Sequence, residues 1–169
     1  MTFKVEKEFK WEMAHRLPYH QGQCRRLHGH SYRALVQLTG ADAALVEVEG
    51  DPEDGMLLDF YRLKFLKDYI DKEWDHRTML KHDDPLVFPL TGAEVYMPDS
   101  LVIVPHSPTA EHIAKMICDV VMKNMAIMPF MCKLAASGQG KISVKVFETC
   151  TCSATYERNL KEESNVRKS

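Results

Sequence analysis

The chain opens with an alternation that leaves little choice of local structure. In FKVEKEFKWEMAHRL, residues 3–17, Phe3, Val5, Phe9, Trp11 and Met13 are apolar, while Lys4, Glu6, Glu8, Lys10 and Glu12 are charged. Only Lys7 breaks the pattern. Successive side chains of a strand point to opposite faces, so this period of two predicts a half-buried strand over residues 2–15. His15 falls in phase with the apolar set.

A second stretch carries the same parity. In CRRLHGHSY, residues 24–32, His28 and His30 are in phase with Tyr32, Ala34, Val36 and Leu38, which predicts a strand over 30–39 with both imidazoles on its inward face. Gly29 between them leaves the opposite face clear. An HxH pair alone is a weak signal. Pairing the two strands adds His15, and three histidines with a fourth position open is the catalytic arrangement for zinc. Cys24 stays open between two readings. It either closes a structural site of one cysteine and three histidines, or stands beside the metal as a thiolate base. Neighbouring Arg25 and Arg26 favour a thiolate in both cases.

Between these strands, residues 16–27 read as a loop. ALVEVEG, ending at Gly50, is a candidate short strand and DPEDG a turn. Asp59 is placed to cap a helix running to about Trp74, with Leu63, Leu66 and Ile70 as its buried stripe. Residues 75–100 read as irregular, and 102–104 as a short strand. Ser107 at the N-cap, Pro108 at the first position and Glu111 in the first turn predict a second helix. Its buried stripe is Ile113, Met116, Ile117, Val120 and Val121. Pro129 is expected to end or kink any helix there. A strand over 141–149 puts Ile142, Val144, Val146 and Glu148 on one face, and 152–157 form a last strand. Glu148 is the anomaly: a carboxylate on an apolar face is costly to bury, and no basic residue of its strand is in phase with it. The alternative is an exposed glutamate at a strand end. Asp75 and His76, adjacent at a helix end, are by default a cap or a surface ion pair.

Composition narrows the function. The length of 169 residues fits one domain, residues 1–160, followed by a charged tail, 161–169, expected to be disordered. A net charge of −2 without a basic run argues against nucleic-acid or anionic-membrane partners. No apolar run is long enough for a membrane span. Five cysteines, an odd number, without a secretion signal predict reduced thiols and a cytoplasmic location. Cys118, Cys132, Cys150 and Cys152 read as buried thiols, and His20, His82, His106 and His112 follow no pattern.

Five segments in order, MAHRL, CRRLHGHSY, WDHRTML, SPTAEH and VFET, resemble the 6-pyruvoyltetrahydropterin synthase family. The three residues between Cys24 and His28 are more similar to its queuosine-pathway branch, the 6-carboxytetrahydropterin synthases. The resemblance runs from about Phe3 to Tyr156. It implies an α+β tunnelling fold: an antiparallel four-stranded sheet with two helices on one face, assembling into an oligomeric barrel, as a hexamer. It implies zinc on His15, His28 and His30, with Cys24 as the base rather than a ligand. It implies that Asp75 and His76 form a proton-transfer pair reaching the site of a neighbouring subunit. Glu148 would anchor a pterin ring through its amino group and ring N–H, with Thr109 and Glu111 beside it. The implied reaction is a lyase reaction converting 7,8-dihydroneopterin triphosphate to 6-carboxy-5,6,7,8-tetrahydropterin with release of acetaldehyde and triphosphate. The rival readings are 6-pyruvoyltetrahydropterin synthesis at the same site and a structural zinc module without turnover. Ser31 and His112 stand where the family often has asparagine, and stretches 88–100 and 127–140 are unusual. These departures bear on the triphosphate pocket, not on the metal.

Overall fold

The alternating stretch forms a 14-residue strand, β1 (Thr2–His15), paired antiparallel along its whole length with β2 (His28–Ala41). Val5 lies opposite Leu38, Phe9 opposite Ala34, Trp11 opposite Tyr32 and His15 opposite His28. Apolar thus meets apolar along the middle of the inward face, apart from Lys7 opposite Val36, and a slip by one residue would turn both faces inside out. These elements belong to a computed structural model of the chain, which describes residues 1–92, 98–125 and 129–160. The tail expected to be disordered lies outside the described residues, as do parts of the stretches 88–100 and 127–140.

Beyond β2 follow β5 (Lys141–Phe147) and β6 (Ser153–Asn159), each antiparallel to its neighbour. These four strands are the expected antiparallel sheet. On the other side of β1 the sheet continues in parallel pairing with β3 (Arg77–Lys81) and β4 (Leu101–Val104). It therefore has six strands, in the order β4-β3-β1-β2-β5-β6, and is mixed. The expected four is corrected by β3, which lies in the region read as irregular. Thr78, Met79 and Leu80 are all buried, so no alternation marks this short strand. The candidate strand in ALVEVEG is absent. A 3-10 turn at Asp42–Ala44 leads instead into a loop closed by the Gly55 N–H, which donates to the Val46 carbonyl at 2.7 Å.

Helices cover one face. Asp59 caps as expected: its Oδ1 accepts from the Tyr61 N–H at 2.8 Å, opening a 3-10 turn that runs into α1 (Lys64–Glu73). A short helix, α2 (Val87–Gly92), follows β3. The next helix, α3 (Ala110–Met125), is capped by Thr109 rather than Ser107: the Thr109 carbonyl accepts from Ile113 at 2.9 Å and its hydroxyl from the His112 N–H at 3.4 Å. Pro108 therefore precedes the cap. Pro129 opens α4 (Pro129–Ala136), where its missing N–H costs nothing, rather than ending a helix.

Leu66 and Ile70 of α1, and Ile113, Ile117 and Val121 of α3, join Trp11, Tyr32, Val36, Ile142 and Val144 in one buried core. Each large side chain removed from water there contributes about 1.5–3 kcal/mol. The opposite face of β1 and β2 is polar and carries exposed ion pairs such as Arg33–Glu8 at 3.1 Å, worth less than about 1 kcal/mol each. All five cysteines are free thiols; Cys118 is buried, whereas Cys132, Cys150 and Cys152 are exposed, against the sequence expectation. The turn joining β5 to β6 carries the last two outward. Among the described residues, no helix is long and apolar enough to cross a membrane.

Candidate active site

The β1–β2 ladder delivers three imidazoles to one place. His15 faces His28, and His30 sits two rungs along on the same face, opposite Met13. Ring centroids are 4.6 Å apart for His15–His28, 4.9 Å for His28–His30 and 5.2 Å for His15–His30. One nitrogen from each of the three lies within 4.8 Å of the other two. Two backbone carbonyls fix ring orientation: Pro108 accepts from His15 Nδ1 at 2.8 Å and Arg26 from His28 Nδ1 at 2.7 Å. With Nδ1 carrying the proton, Nε2 presents a bare lone pair, the arrangement that supports a metal-ligating histidine.

The donor set fits a metal ion. The Nε2 atoms of His15 and His30 are buried without a hydrogen-bond partner among the described residues. Glu148 Oε1 lies 3.3 Å from His15 Nε2, so two electron-rich atoms face each other, and a cation among them would satisfy both. Burial, opposed by the Pro108 carbonyl and Glu148, holds His15 below its ordinary pKa; burial does the same for His30 against Glu148. Both rings are thereby kept in the neutral, metal-binding form.

Cys24 is half-buried in a 3-10 turn, Gln23–Arg25, and its carbonyl accepts from the Leu17 N–H at 2.8 Å. This bond ties the loop to the end of β1. The cluster of three nitrogens does not include the Cys24 sulfur.

Glu148 is not partnerless. It follows directly on β5, and besides His15 it meets the hydroxyl of Tyr32, which donates to Oε1 at 3.3 Å. Its partners come from β1 and β2, which in-phase reading within one strand could not reveal. Tyr32 is 1% exposed, and burial, then the charge of Glu148, push its phenol far above the ordinary value, so it stays a donor. Glu148, Thr109 and Glu111 line one cavity of about 260 Å³, together with Leu17, Cys152 and Ser153. The Thr109 hydroxyl and Glu111's own backbone N–H hold the Glu111 carboxyl below its ordinary range.

Asp75 and His76 are not members of the three-histidine group. His76 Nδ1 is 3.0 Å from Asp75 Oδ2, and its side chain is 79% exposed. The pair is pinned to β1 by Glu12: its N–H donates to Asp75 Oδ1 at 2.8 Å and its carbonyl accepts from the His76 N–H at 2.7 Å. His76 has φ 58°, a left-handed conformation that is strained for a residue with a side chain. Burial alone would raise the Asp75 carboxyl; the Glu12 N–H and His76 more than offset it, and the group sits below its ordinary value. His76 and His30 line a second cavity, about 350 Å³, with Glu12, Ser31, Arg77 and Thr78.

Sequence reasoning missed three contributors: the Tyr32 hydroxyl and the carbonyls of Pro108 and Arg26. Tyr32 carried a signal, being in phase with His28 and His30. The carbonyls carried none, because any residue supplies one.

Fold and site together define an α+β protein with a three-histidine cluster that could hold a metal ion, joined by one glutamate to a neighbouring cavity. The chain belongs to the 6-pyruvoyl tetrahydropterin synthase family, whose model matches residues 4–159. It is 37% identical over 153 residues to 6-carboxy-5,6,7,8-tetrahydropterin synthase of Synechocystis sp., covering 90% of this chain and 91% of that protein. To the Aquifex aeolicus protein of the same name it is 29% identical, covering 93% and 99%. Among solved structures it is similar to an uncharacterized Wolinella succinogenes protein, with TM-score 0.71 at 24% identity over 92% of this chain and 98% of the other. It is also similar to Plasmodium falciparum 6-pyruvoyl tetrahydropterin synthase, with TM-score 0.68 at 17% identity over 94% and 98%. The two structural likenesses concern the fold, which is the expected tunnelling fold.

Proposed function

We propose that this chain is a zinc-dependent carbon–carbon lyase. Its substrates are 7,8-dihydroneopterin triphosphate and water, and its products are 6-carboxy-5,6,7,8-tetrahydropterin, acetaldehyde and triphosphate. The product belongs to the route to queuosine-type 7-deazapurines. The observation that carries this reading is Glu148, which touches His15 at 3.3 Å and also lines the cavity shared with Thr109 and Glu111. One carboxylate thus joins a metal cluster to a pocket that suits a pterin ring. The names of the curated relatives support the carboxy product.

His15, His28 and His30 would hold the zinc, whose contribution when bound is Lewis acidity toward hydroxyl oxygens. Glu148 accepts from the amino group and ring N–H of the pterin, two donors meeting two carboxylate oxygens. Thr109 and Glu111 complete that wall. Cys24, held in the loop beside the end of β1, removes the proton from side-chain carbon. His76, oriented by Asp75, moves protons on the side-chain oxygens. Its exposure supports a site completed by a second copy of the chain, within a homo-oligomer of hexameric size. Free thiols fit a reducing compartment, and the cytoplasm is the proposed location.

Incubation of the zinc-loaded protein with 7,8-dihydroneopterin triphosphate, followed by mass analysis, tests the reading. Equal amounts of 6-carboxytetrahydropterin and acetaldehyde are expected. Release of triphosphate with 6-pyruvoyltetrahydropterin and no acetaldehyde would make it a pyruvoyl synthase. Zinc retained without turnover would leave a structural module.

A further inference from the structure

The carboxylate that joins the two halves of the site has a support on the neighbouring strand. The β2–β5 register pairs Arg33 with Phe147, so Tyr32 is the next rung, opposite Glu148. Here the β5 ladder stops: residues 149–152 form a turn, closed by the Glu148 N–H on the Cys152 carbonyl at 3.2 Å. A glutamate at a strand end has a broad terminal torsion. It would lose that freedom on binding a ligand that needs both oxygens in one plane.

Tyr32 is not free to move in this way. Its ring stacks on Trp11, with centroids 5.2 Å apart and planes at 10°, and Trp11 leans on Trp74 at 6.0 Å. The rings of His15 and His30 stand edge-on to it at 5.8 and 5.6 Å. The hydroxyl is thereby a fixed point of the core, and it meets Oε1 of Glu148 at 3.3 Å. Oε2 meets no partner among the described residues.

We propose that Tyr32 is a positioning residue for ligand recognition: its hydroxyl sets the plane of the Glu148 carboxylate before the ligand arrives. The two oxygens thereby acquire different surroundings, Oε1 tethered to β2 and Oε2 without a partner among the described residues. The inference rests on Glu148 being the pterin anchor and adds to that reading a residue that never touches the reacting atoms.

Tyr32→Phe, Glu148→Gln and the double variant test it, all zinc-loaded, with biopterin fluorescence as the binding probe. Phenylalanine keeps the stack on Trp11, so metal content and melting temperature should match the parent. Biopterin affinity should fall about tenfold in Tyr32→Phe, as for loss of a hydrogen bond to a charged group. In turnover, KM should rise by a similar factor with kcat held within about twofold, the pattern of lost uniform binding. In the Glu148→Gln background the same change should have little further effect, because nothing remains to orient. Additive losses, or loss of zinc from Tyr32→Phe, would show that Tyr32 acts by another route and overturn the inference. Parent-like binding by Tyr32→Phe while Glu148→Gln fails would overturn it too, leaving the anchor reading intact. Parent-like binding by Glu148→Gln would remove the anchor reading and this inference together.

Discussion

The histidine cluster and the Asp75–His76 pair are built in opposite ways. The cluster rests on two long strands in full register, with ring nitrogens fixed by the carbonyls of Pro108 and Arg26. His15 is 1% exposed. The pair rests on a turn after α1, hangs from the backbone of a single β1 residue, Glu12, and leaves the His76 side chain 79% exposed. The first is a complete donor set within one chain. The second is a strained, exposed aspartate–histidine pair at the rim of a cavity that His30 also lines. The difference teaches that the candidate metal cluster and the Asp75–His76 pair are built separately: the first lies within the folded core and the second at the surface.

The largest expected effect breaks the first half. His28→Ala should take zinc from about one ion per chain to near none and abolish turnover, since two histidines do not make a durable site. Metal analysis beside activity measures it; a variant that keeps both would remove the cluster from the account. Breaking the second half should look different. His76→Ala and Asp75→Asn should keep the full zinc content while kcat falls about 10²–10⁴-fold, the range for a lost general acid–base group. Mixing His76→Ala subunits with Cys24→Ala subunits should restore part of the activity. No recovery despite demonstrated subunit exchange would return the pair to a surface role.

A smaller effect sharpens the contrast through pH. His15 and His30 are held below their ordinary value of 6.5 in the folded chain. Above that value both states carry neutral rings, and these groups add no pH dependence. As pH falls below about 6.5 the unfolded chain takes up protons that the folded cluster resists, so stability falls until the folded values are passed. Chelator-treated protein should therefore melt lower at pH 5.5 than at pH 7.5, with a shallower slope in His30→Gln. A metal-free parent that melts higher on acidification would contradict the burial argument. The smallest effect is a control. Asp59→Ala removes a helix cap that belongs to neither half and should cost about 1 kcal/mol in denaturant unfolding, with zinc content and kcat unchanged. A drop in either would mean that the two halves are not insulated from global stability.

What sequence reveals about this molecule follows the period of its patterns. β1 and β2 are long and half-buried, so their alternation exposes both the strands and the shared face of His15, His28 and His30. The stripe Leu63, Leu66 and Ile70 is readable in the same way, because one side of α1 meets the core. β3 carries no such signal: buried on both faces and only five residues long, it is specified by its parallel neighbours, β1 and β4. The cap of α3 falls on Thr109 instead of Ser107 because two competent capping residues flank Pro108, and only the packed structure shows the Pro108 carbonyl engaged by His15. Glu148 looks partnerless in its own strand because its partners stand on β1 and β2. The turn after β5 likewise carries Cys150 and Cys152 outward, against the sequence expectation of buried thiols.

The central claim is that three histidines hold the metal and Cys24 does not. Zinc content of purified Cys24→Ala, compared with the parent and with His28→Ala under identical loading, tests it most directly. The account predicts parent-like zinc in Cys24→Ala, about one ion per chain, with turnover lost, and near-zero zinc in His28→Ala. Loss of zinc from a Cys24→Ala protein that folds and melts like the parent would contradict it, and would make the site a closed one of one cysteine and three histidines.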